Sequence, residues 1–256
     1  MEGGAYSRAM TTVRLDIEYD GAGFRGWARQ PGGLRTVQGE LEAGLATVLR
    51  EPAELTVAGR TDTGVHARGQ VASFETEAEV PTDLARRLNG LGPRDIAVAA
   101  AAPTAQGFDA RRDAVSRTYR YRVLARPSSS PFEQGRSLWW PHKMDRDALN
   151  ASAEALIGTH DFTAFTPTQT DHVRFERDIL AASWTTDGDI VSFQITADAF
   201  MRNMVRVLVG TQLEVASSRR TLDSFTQLLQ GAPRTEAGDT APPHGLYLES
   251  VSYDPS

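Results

Sequence analysis

The sequence predicts an α+β fold, in which strands and helices are mixed along the chain, rather than a doubly wound parallel sheet. Residues 13–19, VRLDIEY, alternate strictly between apolar and polar side chains, which is typical of a half-buried strand. Apolar side chains recur at helical spacing after Thr36, which can cap a helix. Strands near 177–185 and 189–197 are separated only by the turn Asp187–Gly188, as in an antiparallel hairpin.

The remaining elements follow in chain order from the same patterns. Further strands are predicted over 55–59, 65–75, 95–101, 116–124 and 245–253. Further helices are predicted over 82–91, stopped by Gly92-Pro93; over 144–158, capped by Asp145 and stopped by Gly158; and over 199–216 and 221–231. Each half of the chain thus carries a strand, a helix and further strands. This allows an internal duplication, although no residue-level repeat supports one. We expect a mobile N-terminal tail over 1–11, an N-terminal α+β domain over 12–108 and a C-terminal α+β domain over 109–256.

The composition is that of an ordinary soluble globular protein, with 40% hydrophobic and 23% charged residues among 256. No apolar run approaches the roughly 20 residues that span a bilayer, so we expect no membrane segment. The N-terminus lacks the charged and apolar regions of a secretory signal. Cysteine is absent, which excludes disulfides, thiolate metal sites and cysteine nucleophiles. We therefore expect a cytoplasmic protein.

The motifs of several cofactor-dependent and hydrolytic enzymes are missing. The glycine-rich pieces DGAGFRG and AGRTDTG lack both the GK[ST] ending and the G-x-G-x-x-G spacing of phosphate loops, so a nucleotide cofactor is not expected. No G-x-S-x-G nucleophile elbow occurs. The histidines form no H-x-x-x-H pair and lie in no dense carboxylate cluster, so we expect no metal. They are His66, His142, His160, His172 and His244.

Positive charge is concentrated in one segment of a chain whose net charge is -6. Residues 108–126, FDARRDAVSRTYRYRVLAR, hold six arginines and two aspartates. Arginine's planar fork suits bidentate phosphate contacts and stacking on bases. A compositional bias toward arginine would explain why Lys143 is the only lysine, but it would not explain the clustering.

A carboxylate on a glycine-hinged turn is the first candidate for chemistry. Asp62 lies between Gly59 and Gly64, on the turn between two predicted strands. Glycine permits positive φ and lets another molecule approach closely. Arg60 could hold Asp62 ionised, and an ionised carboxylate in a cleft can attack an electrophilic carbon. The alternative is an Asx-turn, in which Asp62 accepts local backbone N–H groups.

Aromatic and basic residues elsewhere extend this hypothesis. Tyr119 and Tyr121 lie among arginines on one strand, as stacking on an unpaired base requires, although either could instead belong to the core. Arg202 and Arg206 share one face of an otherwise apolar helix. An arginine there is costly unless it is paired, and Asp62 is one candidate partner; the alternative is that its side chain extends along the helix to water.

The segment GRTDTGVHARGQVASF, at residues 59–74, resembles the catalytic motif of the TruA-type tRNA pseudouridine synthases. Further segments match in the family's order, so the resemblance covers nearly the whole chain. They are YDGAGFRGWARQ, TVQGELEAGL, FDARRDAVSRTYRY, HDFTAF, AFMRNMVRVLVG and HGLYL. Thr63 departs from the alanine of many relatives, and the loop over 166–178 lacks a cysteine often found there. The roles of Gln169 and Arg177 therefore stay open.

The resemblance implies two α/β-sandwich-like halves that share a continuous, mainly antiparallel sheet with a central cleft, the pseudouridine synthase fold. It implies a homodimer that uses neither a metal nor an organic cofactor. The substrate would be tRNA, at uridines 38, 39 and 40 of the anticodon arm. The resemblance assigns catalysis to Asp62 and substrate binding to Tyr119, Arg60, Arg206 and Leu246. Of these, Tyr119 would lie beside the target base, Arg206 would pair with the acid, Arg60 would lie near the flipped nucleotide and Leu246 would form an apolar wall.

Two rival functions remain open at this point. A tRNA-binding or chaperone protein without chemistry would need the arginines near Tyr119 and not Asp62. A glycoside or nucleoside hydrolase would need a second carboxylate to protonate the leaving group, and the motif offers none nearby in sequence. Within the resemblance, Asp62 could act as a nucleophile or as the base that starts glycal formation, and the sequence does not choose between these routes.

Overall fold

Ten strands form one sheet in the computed structural model, which describes residues 10–169 and 173–253. The order across the sheet is β4-β1-β3-β10-β5-β9-β8-β7, with β2 paired to β3 and β6 paired to β5. The strands are β1 (Thr11–Tyr19), β2 (Thr56–Val57), β3 (His66–Thr76), β4 (Ile96–Pro103), β5 (Ala114–Leu124), β6 (Leu138–Trp139), β7 (Gly158–Asp161), β8 (Glu176–Asp187), β9 (Ile190–Ala197) and β10 (Leu246–Tyr253). Every pairing is antiparallel except β3–β10 and β5–β6, so the predicted α+β class with a mainly antiparallel sheet is confirmed.

Five α-helices accompany the sheet in the described part of the chain. They are α1 (Val37–Leu49), α2 (Leu84–Leu91), α3 (Arg146–Glu154), α4 (Met204–Ala216) and α5 (Leu222–Gln227). Thr36 caps α1 as predicted, because its Oγ1 accepts the Gly39 N–H at 3.3 Å. Asp145 likewise caps α3. None of these helices is long and apolar enough to cross a membrane.

Two predicted helices begin or end differently in the structure. The helix predicted over 199–216 begins only at Met204, because Asn203 adopts left-handed backbone angles with φ of 61°. The preceding residues are consequently free to line a cleft. The helix predicted over 144–158 ends at Glu154, and Gly158 begins β7 instead of stopping a helix.

The last strand of the chain lies in the middle of the sheet. β10 runs parallel to β3 on one side and antiparallel to β5 on the other. Strands from the N-terminal and C-terminal halves thereby belong to one continuous sheet. The boundary predicted between residues 108 and 109 falls in the connection from β4 to β5 and stays a prediction. Of the tail predicted over 1–11, residues 1–9 lie outside the described residues, and Thr11 already belongs to β1.

Candidate active site

The turn that carries Asp62 connects β2 to β3 and is held by backbone contacts. The Val65 N–H donates to the Asp62 carbonyl at 3.1 Å, which closes the turn. The Trp27 N–H donates to the Thr61 carbonyl at 3.0 Å, which ties the turn to the glycine-rich loop after β1. A Cβ at Gly26 would lie 2.9 Å from the Thr61 oxygen, so only glycine allows this approach without displacement.

The carboxylate of Asp62 faces Arg206 across the cleft. Arg206 Nη1 lies 3.7 Å from Asp62 Oδ2, and the Asp62 side chain is 38% exposed. The described residues donate no backbone N–H to this carboxylate, so the structure does not contain the Asx-turn that the spacing left open. The described residues also show no ion pair between Arg60 and Asp62 within 4.0 Å. Of the two arginines that the sequence offers as partners, Arg206 is therefore the one that faces the Asp62 carboxylate.

Arg206 is fixed by its own hydrogen bonds and does not extend to water. Its Nε donates to the Ala241 carbonyl at 2.7 Å, and its Nη1 donates to Asn203 Oδ1 at 3.1 Å. The side chain is 15% exposed. Burial lowers the pKa of the Arg206 guanidinium, and the Asp62 charge opposes that shift. The left-handed Asn203 thus has two effects, since it delays the start of α4 and holds the guanidinium opposite Asp62.

The two tyrosines of β5 have different surroundings. Tyr121 is fully buried, and its hydroxyl donates to the Pro242 carbonyl at 2.8 Å, so it belongs to the core. Tyr119 packs edge-on against Phe200 with ring centroids 5.0 Å apart, and its ring lines the cleft. A Cβ at Gly59 would lie 3.3 Å from the Tyr119 hydroxyl oxygen. Burial raises the pKa of Tyr119, and the charges of Tyr19 and Asp62 raise it further.

One cleft of about 900 Å³ brings the predicted site residues together. Its walls include Arg60, Asp62, Tyr119, Arg206 and Leu246, which come from the turn before β3, from β5, from α4 and from the start of β10. Leu246 lies opposite Tyr121 in the β5–β10 register and adds an apolar surface. Among the described residues that line the cleft, Asp62 is the one acid and six are arginines.

The arginines of segment 108–126 do not form a single basic surface, contrary to what their clustering suggested. Arg111 and Arg117 line the cleft. Arg120 and Arg122 point to the opposite face because side chains alternate along β5, and all four of the other arginines pair with carboxylates. Those pairs are Arg120 with Glu249, Arg122 with Glu133, Arg126 with Asp189 and Arg112 with Asp113.

Sequence reasoning missed Arg117 as a cleft residue. The alternation that places Tyr119 and Tyr121 on one face also places Arg117 there, and this was the signal that could have found it. Two further residues whose roles were open, Gln169 and Arg177, also line the cleft. Within residues 10–169 and 173–253, no group of three or more histidine and acidic side chains is arranged to hold a metal ion.

Comparison with known proteins identifies the family. The profile described as "tRNA pseudouridine synthase" matches residues 17–111 and 152–254. The chain therefore belongs to the tRNA pseudouridine synthase family, isomerases that convert uridine in tRNA to pseudouridine. The matched segments contain Asp62, Arg206 and Leu246, whereas Tyr119 lies between them.

Three relatives named tRNA pseudouridine synthase A match over nearly their whole length. The protein of Parabacteroides distasonis is 42% identical over 239 residues, which cover 93% of this chain and 94% of the relative. That of Frankia casuarinae is 44% identical over 253 residues, covering 96% and 90%. That of Chlorobaculum tepidum is 41% identical over 249 residues, covering 96% and 100%. The similarity is thus spread along the chain and is not confined to the catalytic motif.

Proposed function

We propose that this chain isomerises the uridines at positions 38, 39 and 40 in the anticodon arm of tRNA, with Asp62 as the catalytic carboxylate. The observation that carries the proposal is the composition of the cleft, whose described lining residues include one acid, six arginines and a tyrosine ring. Arginines suit the phosphates of an RNA strand, and an aromatic face suits an unstacked base. A lone carboxylate between them is suited to attack on the sugar.

The reaction needs no redox partner and no net hydrolysis. The bond between C1′ and N1 of uridine breaks, the uracil turns, and C5 bonds to C1′. The proton lost from C5 is balanced by the proton that N1 gains. A stacked base cannot be reached, so the nucleotide must be flipped out of the arm. Asp62 would act either by bonding to C1′ or by removing the 2′ proton to start glycal formation.

The other cleft residues would position the reacting groups. Arg206 places a positive charge 3.7 Å from the Asp62 oxygen in a cleft that must exclude water during the reaction. Tyr119 would stack against the uracil, and its hydroxyl could shuttle a proton. Leu246 would form an apolar wall, and the exposed Arg60 would contact the flipped nucleotide.

Replacing Asp62 by asparagine tests this proposal. Asp62→Asn preserves the size of the side chain and removes the charge, so we expect tRNA affinity within about twofold and no detectable pseudouridine at the three positions. Asp189→Asn, on the exposed turn before β9, is the matched control and should retain full activity. Pseudouridine mapping in tRNA incubated with each protein provides the measurement. Continued conversion by the Asp62 variant would refute the assignment, and release of free uracil would indicate hydrolysis instead.

We further propose that the chain works in the cytoplasm as a homodimer. The proposal of a dimer follows from the family resemblance, and the cytoplasm is where a tRNA substrate occurs. Sedimentation equilibrium at micromolar concentration provides the test of the dimer, and a single species near the 27.9 kDa of one chain would contradict it.

A further inference from the structure

Arg177 is a buried arginine of the cleft, and one of its donor atoms, Nε, has no partner among the described residues. It is 8% exposed and lies on β8 among the lining residues. Its Nη1 donates to the carbonyls of Arg174 and Glu176, at 2.9 and 2.6 Å. Its Nε is buried without a hydrogen-bond partner, and no carboxylate of the described residues lies within 4.0 Å of the guanidinium. A buried polar group left unpaired is costly, which points to a ligand that completes it.

A second buried cation lies two strands away on the same face of the sheet. Arg117 on β5 lies opposite Ala197 on β9, which in turn lies opposite Ile179 on β8. Arg177 precedes Ile179 by two residues, so its side chain lies on the same face of the sheet. Arg117 has no free N–H, because every donor of its guanidinium binds a backbone carbonyl. Its charge nevertheless remains uncompensated by any ion pair among the described residues.

The nearby acid does not neutralise this pair of arginines. Asp198 follows β9 and attracts both guanidinium groups, yet it forms an ion pair within 4.0 Å with neither. Its Oδ1 instead accepts the backbone N–H groups of Asp178, at 3.1 Å, and Ala199, at 2.7 Å. Arg111 adds a third positive charge, because its exposed side chain lines the cleft. Its backbone lies next to Arg117, whose Nη2 donates to the Arg111 carbonyl. This wall of the cleft therefore has an excess of positive charge.

We propose that Arg177 and Arg111, backed by the charge of Arg117, form a subsite for a phosphodiester group of the RNA strand beside the flipped nucleotide. That this phosphate belongs to an RNA strand rests on the proposed function. The chemistry favours phosphate because its non-bridging oxygens can accept from a guanidinium group whose Nε has no partner among the described residues. Arg111, free of hydrogen bonds from its side chain in the described structure, can close over the same group.

Methylphosphonate substitution tests the subsite one phosphate at a time. Anticodon-arm RNA is prepared with a single neutral methylphosphonate at each linkage around the target uridine, and affinity is measured for the unsubstituted protein and for Arg177→Gln. At one linkage the substitution should weaken binding to the unsubstituted protein about 10- to 100-fold, as expected for a hydrogen-bonded charge. At that linkage the methylphosphonate should not further weaken RNA binding by Arg177→Gln. The slope of log Kd against log salt should fall by about 0.7 for this variant.

Two further variants keep the proposal falsifiable if Arg177→Gln is unstable. Arg111→Gln removes an exposed side chain and should weaken binding at the same linkage without altering thermal unfolding. Arg86→Gln, on the exposed face of α2 and outside the cleft, is the matched control and should bind every RNA as the unsubstituted protein does.

The outcomes separate the subsite from the proposed function. Unchanged RNA affinity in both Arg177→Gln and Arg111→Gln would overturn the subsite. So would a methylphosphonate that, at every linkage, weakens binding to these variants as much as it weakens binding to the unsubstituted protein. RNA that is bound with the predicted coupling but never isomerised would support the subsite and refute the proposed function. Full isomerisation, with no linkage at which the methylphosphonate and Arg177→Gln effects overlap, would support the proposed function and refute the subsite.

Discussion

Replacing Arg117 by methionine should strongly destabilise the protein, because this side chain joins three segments that build the cleft. Arg117 is 9% exposed and has no carboxylate within 4.0 Å among the described residues. Its N–H groups donate instead to four backbone carbonyls. These belong to Ala58 at 3.0 and 3.2 Å, Arg111 at 2.7 Å, Ala114 at 3.0 Å and Asp198 at 2.9 Å. They lie before the Asp62 turn, in the loop before β5 and at its first residue, and in the approach to α4.

The magnitude follows from the carbonyls that would lose their donor. A buried acceptor left unsatisfied costs about 1–3 kcal/mol. The contacts to the Ala58 carbonyl are buried and those to the other three carbonyls are part-buried, so the low end of that range applies and gives roughly 4 kcal/mol for the four. Methionine removes the desolvation cost of the buried charge, and cleft water can reach some of the carbonyls, which keeps the estimate low. We expect a loss of about 3–5 kcal/mol, a large share of the roughly 5–15 kcal/mol by which domains are stable.

Urea denaturation provides the assay, with Arg112→Met as the matched control. Arg112 lies in the loop before β5 with a side chain that is 70% exposed, so its replacement should change the free energy of unfolding by less than about 0.5 kcal/mol. The Arg117 variant should have a lower midpoint with a similar dependence on urea concentration. A loss below about 1 kcal/mol would refute the reasoning, since the carbonyl contacts would then contribute nothing net.

Three further predictions concern the site and its surroundings. Gly26→Ala should lower the free energy of unfolding by about 1–3 kcal/mol, because Gly26 has φ of 93° and a Cβ would meet the Thr61 carbonyl; an unchanged melting temperature would contradict this. Arg206→Ala should reduce kcat more than tRNA affinity, and an unchanged rate at saturating tRNA would remove the proposed ion pair from the mechanism. Burial lowers the pKa of His66, so the stability that its neutral form contributes should be complete above about pH 6.5 and be lost as the pH falls through the folded-state pKa. Urea unfolding between pH 5 and 7.5 provides the measurement, and in His66→Gln the free energy of unfolding should depend much less on pH.

The sequence predicted those parts of the fold that local patterning determines. Alternation identified β1 and β5, and the Thr36 cap identified the start of α1. The two-residue β6 and four-residue β7 escaped notice because strands so short carry no alternation and form only where a partner strand is available. The late start of α4 also escaped, since the left-handed backbone of Asn203 is imposed by tertiary contacts.

The sequence could name the residues of the site but could not show that they converge. Asp62, Tyr119 and Arg206 are far apart along the chain, and they face one cleft because β10 inserts between β3 and β5. Arg177 could not be assigned a role, because nothing in its local sequence indicates that its Nε would be buried without a partner. The role of such a charged side chain can be inferred only once its contacts with every neighbouring strand are known.

The distribution of carboxylates explains how a chain of net charge -6 can present a cleft suited to RNA. Arginines on the opposite face of β5 are matched by acids, as Arg120 is by Glu249. Asp62 is the one acid among the cleft residues that the structure describes, and Arg206 faces it. The remaining cleft arginines have no carboxylate within 4.0 Å among the described residues, so their field is available to an approaching polyanion. Local pairing therefore determines where RNA is attracted, and the formal charge of the chain does not.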